Sequence, residues 1–333
     1  MSKKKIRSWQ INELGDPWTH LSMADVTMPA LPDGTCRISV EAVDLNFADI
    51  LQCQGSYQVK PELPFTPGMN AIGTIVEVAE GVEYSVGDRI IGPAHQQFGG
   101  YADECFIAAS KASAVQEGID PIKAAAMHVT YGTAWFGLHL RGKLQPGETV
   151  LVLAGAGGVG SAAIELAKVH GCWVIAAAGS KDKTDACLSL GADEVVDYNN
   201  EDLYERVMTL TYRRGVDVVY DPVGGDYFDI ARRLVAWEGR LLIIGFASGT
   251  IPSAQMNHAL VKNYSIVGVH MGGYRGRSEA PFEQCYAELY QLLIDGKIDP
   301  LVDEVIGFND LPNALKRLAD RKTKGRVVFV PTR

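Results

Sequence analysis

The sequence predicts an α/β protein: a doubly wound parallel sheet joined to a β-rich region. Three observations carry that prediction. From about residue 121 onward, short apolar strands alternate with helices of about ten residues. A glycine-rich turn connects the first of those strands to the helix that follows it. Before residue 121, short apolar or alternating runs are punctuated by Gly and Pro. The length of 333 residues suits about two domains.

In chain order, Val40–Val43, Ala71–Ala79, Arg89–Gly92 and Cys105–Ala108 read as strands, separated by Pro32-Asp33-Gly34, Pro67-Gly68, Gly87-Asp88 and Gly99-Gly100. Asp120-Pro121 opens a helix, with Asp as N-cap and Pro in the first turn. Thr149–Ala154, Cys172–Ala178, Glu194–Val196, Val216–Tyr220 and Arg240–Phe246 are the strands of the parallel sheet. Between them lie helices over Ser161–His170, Lys181–Leu190, Glu201–Leu210 and Tyr227–Trp237. Helices at Pro281–Asp295 and Leu311–Asp320 and a strand at Arg326–Val330 form a terminal part too small to be a third domain, and it is expected to complete the first.

Composition narrows the function classes. With 47% hydrophobic and 21% charged residues, the chain is neither disordered nor fibrous. The 31 basic and 40 acidic residues give a net charge of −9, a poor match to nucleic acid or an anionic membrane. The basic start, Lys3-Lys4-Lys5, is followed by polar residues, so a solvated first strand is expected and not a signal peptide. The longest uncharged run, between Glu148 and Glu165, is interrupted by glycines, so no membrane span is expected. The six cysteines form no CxxC and none lies near a His at ligand spacing. Buried thiols, a reducing cytoplasmic compartment and no metal site are the corresponding expectations.

The most informative segment is Val150-Leu151-Val152-Leu153-Ala154-Gly155-Ala156-Gly157-Gly158-Val159-Gly160. Gly155, Gly157 and Gly160 fit G-x-G-x-x-G, placed after a strand and before a helix as dinucleotide binding requires. Gly155 is expected to permit the tight turn, Gly157 the approach of backbone N–H groups to a pyrophosphate, and Gly160 close packing of helix on strand. The second strand ends Ala178-Gly179-Ser180-Lys181-Asp182-Lys183, without the acid that binds the ribose hydroxyls of NAD. A hydroxyl and two lysines there favour the 2′-phosphate of NADPH.

On these motifs the chain resembles the zinc-independent quinone oxidoreductase (zeta-crystallin-like) branch of the medium-chain dehydrogenase/reductases. The matching segments are Asp44–Asp49, Gly55-Ser56-Tyr57, Leu63–Gly68, Gly87–Ile90, Gly99–Ala102, Thr130–Ala134, Gly155–Gly160, Leu190–Asp193 and Asp221–Gly225. The resemblance implies a GroES-like partial β-barrel over 1–122 plus 266–333, an inserted Rossmann domain over 123–265, and an active site in the cleft. It also implies NADPH as hydride donor and a homodimer paired near Ile266–Val269. Family positions for the 2′-phosphate map onto Ser180, Lys183, Tyr198 and Arg321; the nicotinamide would meet Asn46, Thr130 and the loop Gly245-Phe246-Ala247-Ser248. The zinc-dependent members' ligand positions carry Asn46 and Gly68-Met69-Asn70 instead, and of the structural-zinc cysteines only Cys105 falls in the region. Without a Lewis acid, reduction of a conjugated acceptor is the chemistry expected.

Tyr57 is the candidate proton donor, or a cleft wall. Asn46 and Asp49 are candidates to orient nicotinamide or substrate; alternatively Asp49 satisfies backbone N–H groups of its own turn. Tyr274 and Arg275 line the cleft or solvate a loop. The first functional expectation is quinone reduction by NADPH. Reduction of an enoyl thioester or enone, with Tyr57 protonating carbon, is the second, and a non-catalytic NADPH-binding role the third.

Overall fold

The computed structural model describes residues 5–333; the first four residues, expected to begin a solvated strand, lie outside the described residues. The chain forms two compact units, one running to His128 and taking in Val302–Arg333, the other Val129–Leu301. The expected boundaries at 122/123 and 265/266 differ from these, most at the second crossing. Ser265–Gly268 pairs in parallel with Val235–Ile243, extending the second unit's sheet. Helix Ala280–Ile294 buries Phe282, which meets Phe136 of the same unit at 4.9 Å between ring centroids. Backbone pairing and aromatic packing therefore place residues 266–301 with the parallel sheet.

The first unit is built on a mixed sheet ordered Val302–Ile306, Arg326–Phe329, Thr35–Asp44, Asn70–Val78, Arg89–Pro93 and Ser113–Ala114, with Glu104–Ala108 also pairing Thr35–Asp44. Two C-terminal strands belong to it, whereas helix Ala280–Ile294, expected with them, lies in the second unit. Alternation drives the central strand: Cys36, Ile38, Val40 and Ala42 are buried, whereas Arg37, Ser39 and Glu41 are partly or fully exposed. Its apolar face joins Ile75, Ile90, Leu311, Leu315 and Phe329 in one core. The sequence reading left out helix Phe47–Cys53. Its signal was present: the Asp49 carboxylate accepts the backbone N–H of its N-cap, Asn46, at 2.8 Å, half of a capping box.

The second unit has six parallel strands ordered Glu194–Asp197, Trp173–Ala178, Thr149–Leu153, Val216–Asp221, Val235–Ile243 and Ser265–Gly268. This is the 3-2-1-4-5-6 order of a doubly wound sheet, whose topological switch point lies between the first and fourth strands. The Asp120 cap is present, its side chain accepting Ile122 N–H at 2.9 Å, and helix Pro121–Trp135 then widens into a π-helical stretch, Phe136–Arg141. One expected helix is shorter than predicted. It ends at Leu234, and Val235-Ala236-Trp237 begin the next strand, which is interrupted by Glu238 at φ 59°. The apolar run 234–236 fits the buried side of either element, so pattern alone did not locate the change.

Candidate active site

The glycine-rich turn lies at the switch point, directly after the all-buried strand Thr149–Leu153. Ala154, at φ 49°, makes the sharp reversal that the sequence assigned to Gly155. Gly155 instead permits packing: a Cβ there would stand 2.9 Å from Cys187 Sγ and 3.0 Å from Ala176 Cβ. At Gly160 a Cβ would stand 2.3 Å from the Ala154 carbonyl oxygen, so helix and strand close only over glycine. Gly157 differs. A Cβ there would meet only that same carbonyl within 4 Å, at 3.2 Å, leaving its backbone otherwise open. Gly157 is also the N-cap of helix Gly158–Val169 and offers no side chain to its first-turn N–H groups. Gly158, Val159 and Gly160 supply that turn, an arrangement suited to a pyrophosphate.

Beside it, strand Trp173–Ala178 ends at Gly179, where Tyr198 closes over the backbone; a Cβ would stand 2.9 Å from its ring. Tyr198 packs on Tyr227 at 4.9 Å, and Asn199 Nδ2 donates to the Gly179 carbonyl at 2.6 Å. Ser180 is the N-cap of helix Lys181–Ser189, yet its hydroxyl makes no capping bond. Lys181 is salt-bridged to Asp185 at 2.8 Å and Lys183 is half-buried. Ser180 and Tyr198 thus stand at a strand end that carries no carboxylate of its own, and Asp182 and Lys183 lie in the first turn of the helix that follows. Arg321 belongs to the other unit, exposed and at φ 58° just past helix Leu311–Ala319.

The fourth and fifth strands end in two linked loops. Asp221, buried and raised in pKa by that burial, accepts Val223 N–H at 2.8 Å and Gly224 N–H at 2.9 Å. Gly224 and Gly225 take left-handed φ values, and Gly225 N–H reaches the Thr250 carbonyl. Ala247 and Ser248 N–H groups in turn donate to the Pro222 and Val223 carbonyls, fixing Gly245-Phe246-Ala247. The sequence quoted Asp221–Gly225 without giving it a role; the structure makes it the brace of the 245–248 loop. Thr130 is buried on helix Pro121–Trp135. The next residue, Tyr131, donates its hydroxyl to Glu165 on the dinucleotide helix, while Glu165 also accepts Asp299 N–H at 3.0 Å.

In the first unit, Asn46 is held from both ends of its amide. Oδ1 accepts Arg326 Nη2 at 2.7 Å, and Nδ2 donates to the Asp44 carbonyl at 3.2 Å. Arg326 also pairs with the buried Asp44 carboxylate. Asp49 is fully buried and accepts three donors: Asn46 N–H at 2.8 Å, Met69 N–H at 2.9 Å and the Tyr101 hydroxyl at 3.0 Å. Burial pushes its carboxyl up to about 6 against the pull of those bonds. Of the alternatives for Asp49, this geometry matches satisfaction of its own turn and of the Met69 segment. Tyr57 lies at a bend after helix Phe47–Cys53, half-buried, its N–H on the Leu51 carbonyl. The chain's six cysteines are all buried and unpaired, and no three metal-ligating side chains converge among the described residues. Tyr274 and Arg275 sit in the second unit, the guanidinium lying 3.8 Å from the Phe282 ring centroid and paired with Glu279.

Comparison with known proteins bears on this arrangement. A family model described as alcohol dehydrogenase GroES-like domain matches residues 32–136, and one described as zinc-binding dehydrogenase matches residues 158–291. A Bos taurus protein, quinone oxidoreductase-like protein 2, is 40% identical over 311 residues, covering 93% of this chain and 88% of its own length. A mycobacterial protein solved with NADPH is 31% identical, covers 98% of this chain and 100% of its own, and superposes with a TM-score of 0.89. The Escherichia coli quinone oxidoreductase, also solved with NADPH, is 28% identical with the same coverages and a TM-score of 0.88.

Proposed function

The chain belongs to the zinc-independent quinone oxidoreductase branch of the medium-chain dehydrogenase/reductases and is an NADPH oxidoreductase, and we propose that its acceptor is a quinone or a similar conjugated carbonyl compound. The observation that carries the reading is the open glycine turn beside a strand end bearing Ser180, Lys183 and Tyr198 in place of a carboxylate. NADPH, when bound, supplies the hydride. Gly155, Gly157, Gly158, Val159 and Gly160 would present backbone to its pyrophosphate, while Ser180, Lys183 and Tyr198 would take the 2′-phosphate. Thr130, Gly245, Phe246 and Ala247 of the second unit would meet the nicotinamide end. Asp49 acts at one remove, by fixing Asn46 and Met69.

A quinone accepts hydride and delocalises the charge, so it takes its one further proton from solvent and needs no metal to polarise it. Tyr57 is the residue able to place a proton, and the thioester reading depends on that. Tyr57→Phe, assayed with benzoquinone and with crotonyl-CoA, separates the two. We expect benzoquinone turnover to remain within about twofold, because no positioned acid is required. Loss of crotonyl-CoA reduction by about a hundredfold or more, with crotonyl-CoA the better substrate, would favour the thioester reading. A homodimer is proposed at Ser265–Gly268, an end strand of the six-stranded sheet. A reducing cytoplasmic compartment is proposed from the unpaired cysteines. No helix among the described residues is long and apolar enough to cross a membrane.

A further inference from the structure

Strand Arg326–Phe329 runs antiparallel beside Thr35–Asp44, with Val328 opposite Asp44, and the Leu45 N–H reaches the Val327 carbonyl at 2.9 Å. That register sets Arg326 beside Asn46. Both members of the ion pair there are buried, Asp44 at 1% and Arg326 at 8% exposure. Withdrawing two charges from water commonly costs more than their attraction returns, so such a pair is weak evidence of stabilisation. A buried guanidinium usually meets a carboxylate through two parallel N–H bonds. Arg326 departs from that pattern. Its Nη2 serves both the Asp44 carboxylate and Asn46 Oδ1, and its buried Nε has no hydrogen-bond partner among the described residues. One guanidinium bond is forgone, while the 2.7 Å bond to a half-buried carboxamide is kept. With Oδ1 held by Arg326, Nδ2 is the donor end of Asn46, and one of its two N–H bonds goes to the Asp44 carbonyl at 3.2 Å.

We propose that Arg326 is a positioning residue for acceptor reduction, fixing the Asn46 carboxamide so that its other N–H donates to the acceptor's carbonyl oxygen. This rests on the quinone reading above and on Asn46 as a residue that orients the substrate. Arg326 acts through Asn46: an amide whose own oxygen accepts from a guanidinium is polarised, and its N–H donates more strongly. A quinone that takes up hydride carries negative charge on oxygen until solvent supplies a proton. A donor already aimed at that oxygen gains strength as the charge grows. Asp44 holds the guanidinium in place.

The test removes the charge without leaving its partner buried alone. Asp44→Asn with Arg326→Gln keeps a polar pair, and Asp44→Leu with Arg326→Met replaces it by apolar side chains. In either, kcat with benzoquinone should fall about tenfold, less than the loss of a whole oxyanion donor costs. NADPH affinity by fluorescence titration should stay within about twofold. Arg326→Lys, which keeps a point charge beside Asp44, should hold kcat within about threefold. The deciding readout is the same charge removal made in Asn46→Ala. There it should change kcat by less than about twofold, because the residue it acts through is already gone. An equal loss in both backgrounds would make Arg326 structural and overturn the proposal, as would an undiminished kcat in a folded charge-free variant. If neither charge-free pair folds, the ion pair is a folding element and the proposal fails. If the unaltered protein reduces no quinone, the preceding reading fails and this one with it. If it reduces quinones and shows no coupling between Arg326 and Asn46, this inference alone fails.

Discussion

On the proposed reading, the single charge of Lys183 decides which nicotinamide cofactor is used. A charge-assisted hydrogen bond contributes about 1.5–3 kcal/mol, so Lys183→Ala should raise KM for NADPH by roughly tenfold to a hundredfold. KM for NADH should stay within about twofold, because NADH has no 2′-phosphate for Lys183 to meet. Equal changes for both cofactors would remove Lys183 from the phosphate site. Asp49 makes a prediction of a different kind. Burial raises its carboxyl to about 6, so the folded state keeps this proton to higher pH than the unfolded chain does. Unfolded aspartate titrates near 3.9, so this group's contribution to stability is present below about pH 4 and is lost as pH rises through about 6. The denaturant midpoint of the protein minus that of Asp49→Asn should fall across that window; a flat or rising difference contradicts the assignment. The absent acid after Ala178 was legible at once, since it is a property of residue order. That Asn46 is clamped by Arg326, 280 residues away in the chain, and that Asp49 is enclosed by three donors were not legible, because both depend on sheet pairing.

At the scale of elements, the strand–turn–helix at 149–169 separates glycines that close packing requires from one, Gly157, that we propose for binding. Gly160→Ala places a methyl 2.3 Å from a backbone oxygen, an overlap that must be relieved by moving helix or strand. It should cost at least about 1–3 kcal/mol and lower the thermal midpoint. Gly157→Ala meets one atom, at 3.2 Å, and should leave the midpoint within a few degrees while weakening NADPH by about tenfold. The reverse pattern, with Gly157→Ala the unstable protein, would contradict the division. Most elements were readable from periodicity and caps, as at Asp120-Pro121. Helix Phe47–Cys53 was not, because Asn-x-x-Asp is a less familiar capping box than Ser/Thr-x-x-Glu. The end of helix Gly225–Leu234 was misplaced because Val235 and Ala236 are buried in the strand as they would have been in a helix. The boundary at 265/266 implied by the resemblance cuts through strand Ser265–Gly268, whose four residues of modest hydrophobicity carry no sign of which sheet they join.

For the whole molecule, a net charge of −9 coexists with a ligand site for phosphate. The proposed resolution is local: backbone N–H groups at a helix start, together with Ser180, Lys183 and Tyr198, would provide for anionic groups without a basic surface. The glycine-rich turn belongs to the second unit, and Asn46 and Tyr57 belong to the first. The central proposal is that this chain, an NADPH oxidoreductase, uses a quinone as acceptor. The most direct measurement is the initial rate of NADPH oxidation with benzoquinone, followed by the loss of reduced-nicotinamide absorbance and repeated with NADH. The account predicts quinone-dependent oxidation whose kcat/KM for NADPH exceeds that for NADH by at least about tenfold. Tight NADPH binding with no quinone-dependent oxidation would contradict it.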